Sequence, residues 1–313
     1  MENSKKRVIT AIVMGVVIIP FLFLGGYFFY GLMAFLGAIS TFEIVRMYNN
    51  SKGNKPIILN FLMPLFSLIL IILIMVSDYL HINNGIKIIV FSALVIITFL
   101  LIISLLYKEI SVSDSFFYIG SIIYGGIPFG LMGVIRNSSV FMEKELMIGS
   151  FDVNIFNICG LCIFLFVLFT NMFTDIFAYE VGRRIGKKKL IPDVSPNKTV
   201  EGSIFGTLIG SILGAAELIL CEYLLGFNLF KIANPVLNIL VIFVIAVVIS
   251  ICSQFGDLIA SKLKREYGIK DYGNIFPGHG GVMDRFDSLI LTSTLFFLLL
   301  VACGVIVWKM YVY

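Results

Sequence analysis

Apolar residues run along this chain in stretches of about 20, the length a helix needs to cross a hydrocarbon core of about 30 Å, and short polar joints separate them. The pattern predicts nine membrane-spanning helices, at 8–24, 27–45, 57–77, 86–106, 116–135, 155–179, 203–225, 236–255 and 289–312. Gly25 and Gly26 join the first two as a tight helical hairpin. The fifth span is interrupted by Gly120, Gly125, Gly126, Pro128 and Gly130, residues that a span tolerates where neighbouring helices cover its backbone.

Composition removes the soluble alternative. Of the 313 residues 59% are hydrophobic and 13% charged, against about 25% charged in an ordinary soluble domain. The expected fold is an all-α, polytopic integral membrane protein. The five cysteines lie scattered through apolar runs, and the Cys159-Gly-Leu-Cys162 spacing has no second pair, so they read as small packing residues. The basic start resembles a signal peptide but no small-residue cleavage site closes it, and it reads as a retained first span. Asn137-Ser-Ser and Asn197-Lys-Thr match glycosylation sequons by chance.

Charge sets the expected orientation, because cytoplasmic joints carry the excess of Lys and Arg. With the N-terminus inside, the inner segments hold 18 of these residues and the outer ones hold 5 (Lys87, Arg136, Lys144, Lys231 and Lys309). The C-terminus then lies outside, with Trp308, Tyr311 and Tyr313 as an interfacial anchor. Residues 1–150 form an N-terminal group of about five spans. Residues 151–313 form the region with the chemistry, and its two polar loops, 182–202 and 256–288, face the cytoplasm.

Those loops and the helix ends beside them hold carboxylates that are costly at membrane depth and therefore functional candidates: Asp175, Asp257, Asp284 and Asp287. Asp284 and Asp287, three apart, share a helix face. A few oxygen ligands suit a hard cation such as Mg²⁺, which keeps several waters and takes one or two carboxylates plus substrate phosphates. Lys198, Lys264, Arg265, Lys270 and Arg285 are cationic partners for phosphate. Gly278, Gly280 and Gly281 permit close backbone approach, and their loop enters a helix N-terminus, which favours anions. Each feature alone has an ordinary reading, as a flexible turn, a helix cap or a topology signal. Their convergence points to a phosphorylated substrate. His279 reads either as a phosphate donor or as support for the turn. Glu217 and Glu222 read as satisfied polar groups outside the site.

The run from Ser261 to Asp287, SKLKREYGIKDYGNIFPGHGGVMDRFD, resembles the signature of the phosphatidate cytidylyltransferases, the CDP-diacylglycerol synthases. SPNKTVEG, Ser195 to Gly202, is similar to that family's second motif, and DIFAYEVGRRIGK before it and KRVITAIV near the N-terminus also fit. The motifs cover about the last 140 residues; the earlier spans match in length and hydropathy. Ala260 stands where the family usually has Glu, and Val200 where it often has Trp.

The resemblance implies transfer of CMP from CTP to phosphatidate, giving CDP-diacylglycerol and pyrophosphate. It implies Asp257 and Asp284 as Mg²⁺ ligands, with Asp287 and Asp175 as further ligands or groups behind them, and leaves open whether a second cation joins. Lys198, Lys264, Arg265 and Lys270 would hold phosphates, with Arg285 and the loop glycines beside them. Ser195 and Thr199 would add hydroxyl contacts. A homodimer in a bilayer is expected, in a bacterial plasma membrane given the lack of an N-terminal extension, with no role for nucleic acid. The competing readings are a CTP-dependent lipid-alcohol kinase and a transporter. Transporter sites lie near the bilayer midplane, whereas these residues cluster at helix ends.

Overall fold

A computed structural model describes residues 2–53, 55–79, 85–138 and 158–305. The described residues are mostly helical: α1 (Glu2–Leu24), α2 (Gly26–Lys52), α3 (Leu59–Tyr79), α4 (Gly85–Leu106), α5 (Val112–Gly125), α6 (Ile127–Asn137), α7 (Ile158–Ile185), α8 (Val200–Leu225), α9 (Pro235–Glu266) and α10 (Met283–Ala302). Taking α5 and α6 as one span, nine segments among the described residues are long and apolar enough to cross a membrane. They coincide with the nine expected spans. The start of the sixth span at Ile155, the end of the ninth at Val312 and the aromatic anchor lie outside the described residues.

The glycine-rich fifth span is broken at Gly126, where α5 ends and α6 begins with Pro128 in its first turn. The predicted hairpin also forms. Gly25 and Gly26 take φ of 61° and 49°, a left-handed backbone that side chains disfavour, and Asn137 accepts the Gly26 N–H at 2.7 Å. That bond gives Asn137 a structural task.

The two polar loops are shorter than their sequence bounds. Helix α7 runs on to Ile185, and the segment beyond it folds as an antiparallel hairpin of β1 (Lys189–Ile191) and β2 (Ser195–Thr199). Thr199 then caps α8, accepting the Gly202 N–H at 3.2 Å. Helix α9 continues to Glu266 and α10 starts at Met283, so the second loop is confined to 267–282.

Helices α7 and α8 pack face to face along a small-residue seam. Gly202, Gly206, Gly210 and Gly214 recur every fourth position and oppose Gly182, Ala178, Thr174 and Thr170 in turn. A Cβ on Gly210 would lie 2.8 Å from the Thr174 backbone nitrogen, which cannot swing aside. Small residues let backbones approach and supply the dispersion contacts that hold helices together in lipid. The Gly210→Val protein should therefore unfold at lower temperature, by the ~1–3 kcal/mol of an overpacked core. Thermal unfolding in detergent reads this directly, and an unchanged midpoint would show that the seam yields.

Candidate active site

The expected carboxylates come together from three helices at one end of the bundle. Asp175 is on α7, Asp257 on α9, and Asp284 and Asp287 on the first turns of α10. Gly256 brings α9 against α10. A Cβ there would lie 2.8 Å from the Asp287 carbonyl and 3.0 Å from the Ser288 Cα, so the glycine sets Asp257 beside the start of α10. Asp287 feels the charges of Asp257, Lys264 and Asp175, and Asp175 feels those of Lys198 and Asp257. Like charges gathered this way need cations among them.

Two lysines supply part of that charge. Lys198, on β2, pairs with Asp257 Oδ2, and both side chains keep about a quarter of their surface open (27%). Lys264, about two turns further along α9, pairs with Asp284 Oδ1 at 3.0 Å and sits 5.5 Å from the Tyr272 ring centroid. Asp257 Oδ1 accepts the Ser261 hydroxyl at 3.2 Å, and Asp287 Oδ1 the Ser288 N–H at 2.8 Å.

The 267–282 loop is organised around Asp284. Its Oδ2 accepts the Tyr272 N–H at 2.8 Å and the Gly281 N–H at 2.9 Å. Phe276 N–H bonds Gly280 O at 2.9 Å and His279 N–H bonds Phe276 O at 2.8 Å, closing a tight turn. Gly278 and Gly280 provide the left-handed φ of 77° and 83° that the turn requires. The turn meets the N-terminal helix as well: Thr10 Oγ1 donates to Pro277 O at 2.9 Å, and Gly278 lies over Arg7. His279 Nδ1 is buried and has no hydrogen-bond partner. The space beside Gly280 is taken by the Asp284 carboxylate, and that beside Gly281 by Glu43.

Glu43, absent from the sequence candidates, proves central. It lies on α2, 2% exposed, and its two oxygens accept the N–H groups of Val282 at 3.0 Å and Met283 at 2.9 Å. Val282 has no side chain able to cap α10. Glu43 does so from across the bundle, satisfying donors that a helix start leaves orphaned. A lone Glu inside an apolar span was the available signal. Tyr124 on α5 was also missed. Its hydroxyl is buried without a hydrogen-bond partner and faces the charges of Asp287 and Asp257.

The remaining candidates sit at the rim. Arg265, Lys270 and Arg285 are exposed, Ser195 is half-buried on β2, and Thr199 is buried as the α8 cap. Ala260 is fully buried, and its carbonyl accepts the Tyr272 hydroxyl at 3.0 Å. Burial pushes that phenol well above its ordinary pKa, with Tyr124 and then Asp284 and Asp287 adding to the shift, so it stays a neutral donor. Beside the carboxylates an apolar cavity of about 450 Å³ opens between α2, α5 and α9, lined by Ile44, Phe117, Gly120, Tyr124 and Leu263, with Lys262 at its edge.

The chain is 30% identical over 304 residues to the phosphatidate cytidylyltransferase of Bacillus subtilis, covering 96% of this chain and 98% of that one. It is 31% identical over 299 residues to the enzyme of the same name from Staphylococcus haemolyticus, with 95% and 99% covered. The counterpart from Staphylococcus aureus is 30% identical over a similar span. A profile described as the cytidylyltransferase family matches residues 5–303. The chain that gathers these carboxylates and lysines at its helix ends belongs to the cytidylyltransferase family.

Proposed function

We propose that this protein is a phosphatidate cytidylyltransferase, joining CTP and phosphatidate to give CDP-diacylglycerol and pyrophosphate. The observation that carries the reading is the pairing of Lys198 with Asp257 and of Lys264 with Asp284 among four carboxylates at one end of a membrane bundle. It agrees with the activity for which the relatives are named.

The residues fit a hard divalent cation. The donors are carboxylate oxygens, and Asp257 and Asp284 would hold Mg²⁺ through the oxygens that now pair with lysines, with Asp287 and Asp175 beside them. No three of these carboxylates converge within 4.8 Å among the described residues, which suits a cation that keeps waters and takes substrate phosphate oxygens. When bound, the ion neutralises phosphate charge and orients the triphosphate.

A phosphatidate oxygen attacks the α-phosphorus of CTP. The bond from that phosphorus to the α–β bridging oxygen breaks, and the electron pair leaves with pyrophosphate. The nucleophile is already anionic, so positioning and charge neutralisation do the work and no strong base is required. Lys198 and Lys264, released from their aspartates, turn to the phosphates. Arg265, Lys270 and Arg285 draw the triphosphate in from the rim, and the acyl chains lie in the apolar cavity beside Tyr124. The charged side chains of this scheme all lie within residues 158–305, and the cavity for the acyl chains adds residues of α2 and α5.

The distribution of 18 against 5 basic residues supports a cytoplasmic N-terminus and an active site open to the cytoplasm. The bacterial relatives support a bacterial membrane, and we carry forward a homodimer as the expected assembly.

Purified protein given phosphatidate, Mg²⁺ and CTP labelled at the α-phosphate should place label in lipid. Label entering only from the γ-phosphate would make the protein a lipid-alcohol kinase, and no lipid labelling from either position would remove the enzymatic reading.

A further inference from the structure

A second cluster lies at the other end of α7 and α8. Cys162 on α7 and Glu217 and Cys221 on α8 bring two sulfurs and a carboxylate oxygen within 4.8 Å of one another, the one such trio among the described residues. Cys162 precedes Asp175 by thirteen residues, about 20 Å along the helix, so this cluster is separate from the active site.

The thiols contact each other, and Cys221 Sγ donates to Glu217 Oε1 at 3.4 Å. The second oxygen of Glu217 is buried and has no hydrogen-bond partner. A carboxylate held between apolar helices with an orphaned oxygen is costly and calls for a partner. Small packing cysteines would account for the sulfurs alone; they do not account for that oxygen.

We propose that Cys162, Cys221 and Glu217 form a binding site for Zn²⁺ or a similar soft divalent cation. Thiolate sulfur selects such ions over Mg²⁺, and two sulfurs with one carboxylate leave a fourth tetrahedral position for water. Binding replaces the two thiol protons, which leave to solvent, and no electron is transferred. The charge then balances. Zn²⁺, two thiolates and one carboxylate sum to a single negative charge, and Arg136, fully buried, interacts with Cys162. Its guanidinium is fixed by the carbonyls of Leu22, at 2.7 Å, and Phe23, at 3.1 Å. A neutral assembly is the form that apolar surroundings accept. The ion would clasp α7 to α8 at the end away from the active site.

Cd²⁺ alone, titrated into full-length protein in metal-free detergent buffer, reports thiolate ligation through its ultraviolet sulfur-to-metal charge-transfer band. The expected result is saturation at one equivalent, reversal by excess EDTA, and loss of the band in both C162S and C221S. E217Q should keep the sulfurs and weaken binding at least about tenfold, the lower end of what disturbing a metal site costs. No saturable band, or a band unchanged in C162S and C221S and so arising from Cys159, Cys252 or Cys303, overturns the proposal. Where the serine variants fail to fold, E217Q decides: unchanged affinity overturns it, weakened affinity sustains it.

Discussion

Asp257→Asn lowers CMP transfer from labelled CTP by about 10²–10³-fold, the scale seen when one preorganised charge contact is removed from an active site, while the protein remains helical and monodisperse. The substitution keeps the shape of a side chain that is about a quarter open, so the fold loses little. It removes the charge that pairs with Lys198 and interacts with Asp175 and Asp287. Asp257→Glu, which retains the charge on a longer arm, should recover part of the rate. Near-parental transfer by the Asn variant would take Asp257 out of the site.

The second large effect belongs to a residue that touches no substrate in this scheme. Glu43→Ala leaves the Val282 and Met283 N–H groups buried without acceptors, at about 1–3 kcal/mol each. The start of α10 then loses its anchor, and Asp284 and Asp287 move with it. Thermal unfolding in detergent should fall markedly, and transfer should fall with it even at temperatures where the protein is still folded. Glu43→Gln offers one carbonyl in place of two carboxylate oxygens and should be intermediate in both. Full activity in the Ala variant would mean that the Gly281–Met283 backbone holds its own position.

The spans were legible because hydrocarbon thickness imposes one length on every helix that crosses it, and a 20-residue apolar run has few other uses. The break in the fifth span was legible for a related reason: glycine and proline mark where a backbone bends. The hairpin from Lys189 to Thr199 was not. Its strands are three and five residues long and largely exposed, too short and too polar for any alternation to show. Asp175, Asp257, Asp284 and Asp287 stood out because each is a charge at an apolar border. Glu43 satisfied the same criterion, yet it lies far in sequence from the polar loops and beside Arg46, which reads as a topology signal. Its partner is a stretch of backbone, and backbone donors carry no sequence mark. Gly281 reads in sequence as freedom to meet a ligand; the space beside it, as beside Gly273, is filled by the Glu43 carboxylate.

The bond from Glu43 to the start of α10 also constrains the order in which the protein is built. Glu43 is placed in the membrane with the second span, and the N–H groups that receive it are synthesised 239 and 240 residues later. Through the insertion of all the intervening helices it is a carboxylate awaiting its donors, with Arg46 the cation that interacts with it from the same helix. Only when the ninth span arrives does the start of α10 close over it. Thr10 and Pro277, 267 residues apart, meet at the same stage. The carboxylate cluster is thus completed only once the ninth span has been made, and a chain stalled before α10 would carry every earlier helix yet lack Asp284 and Asp287.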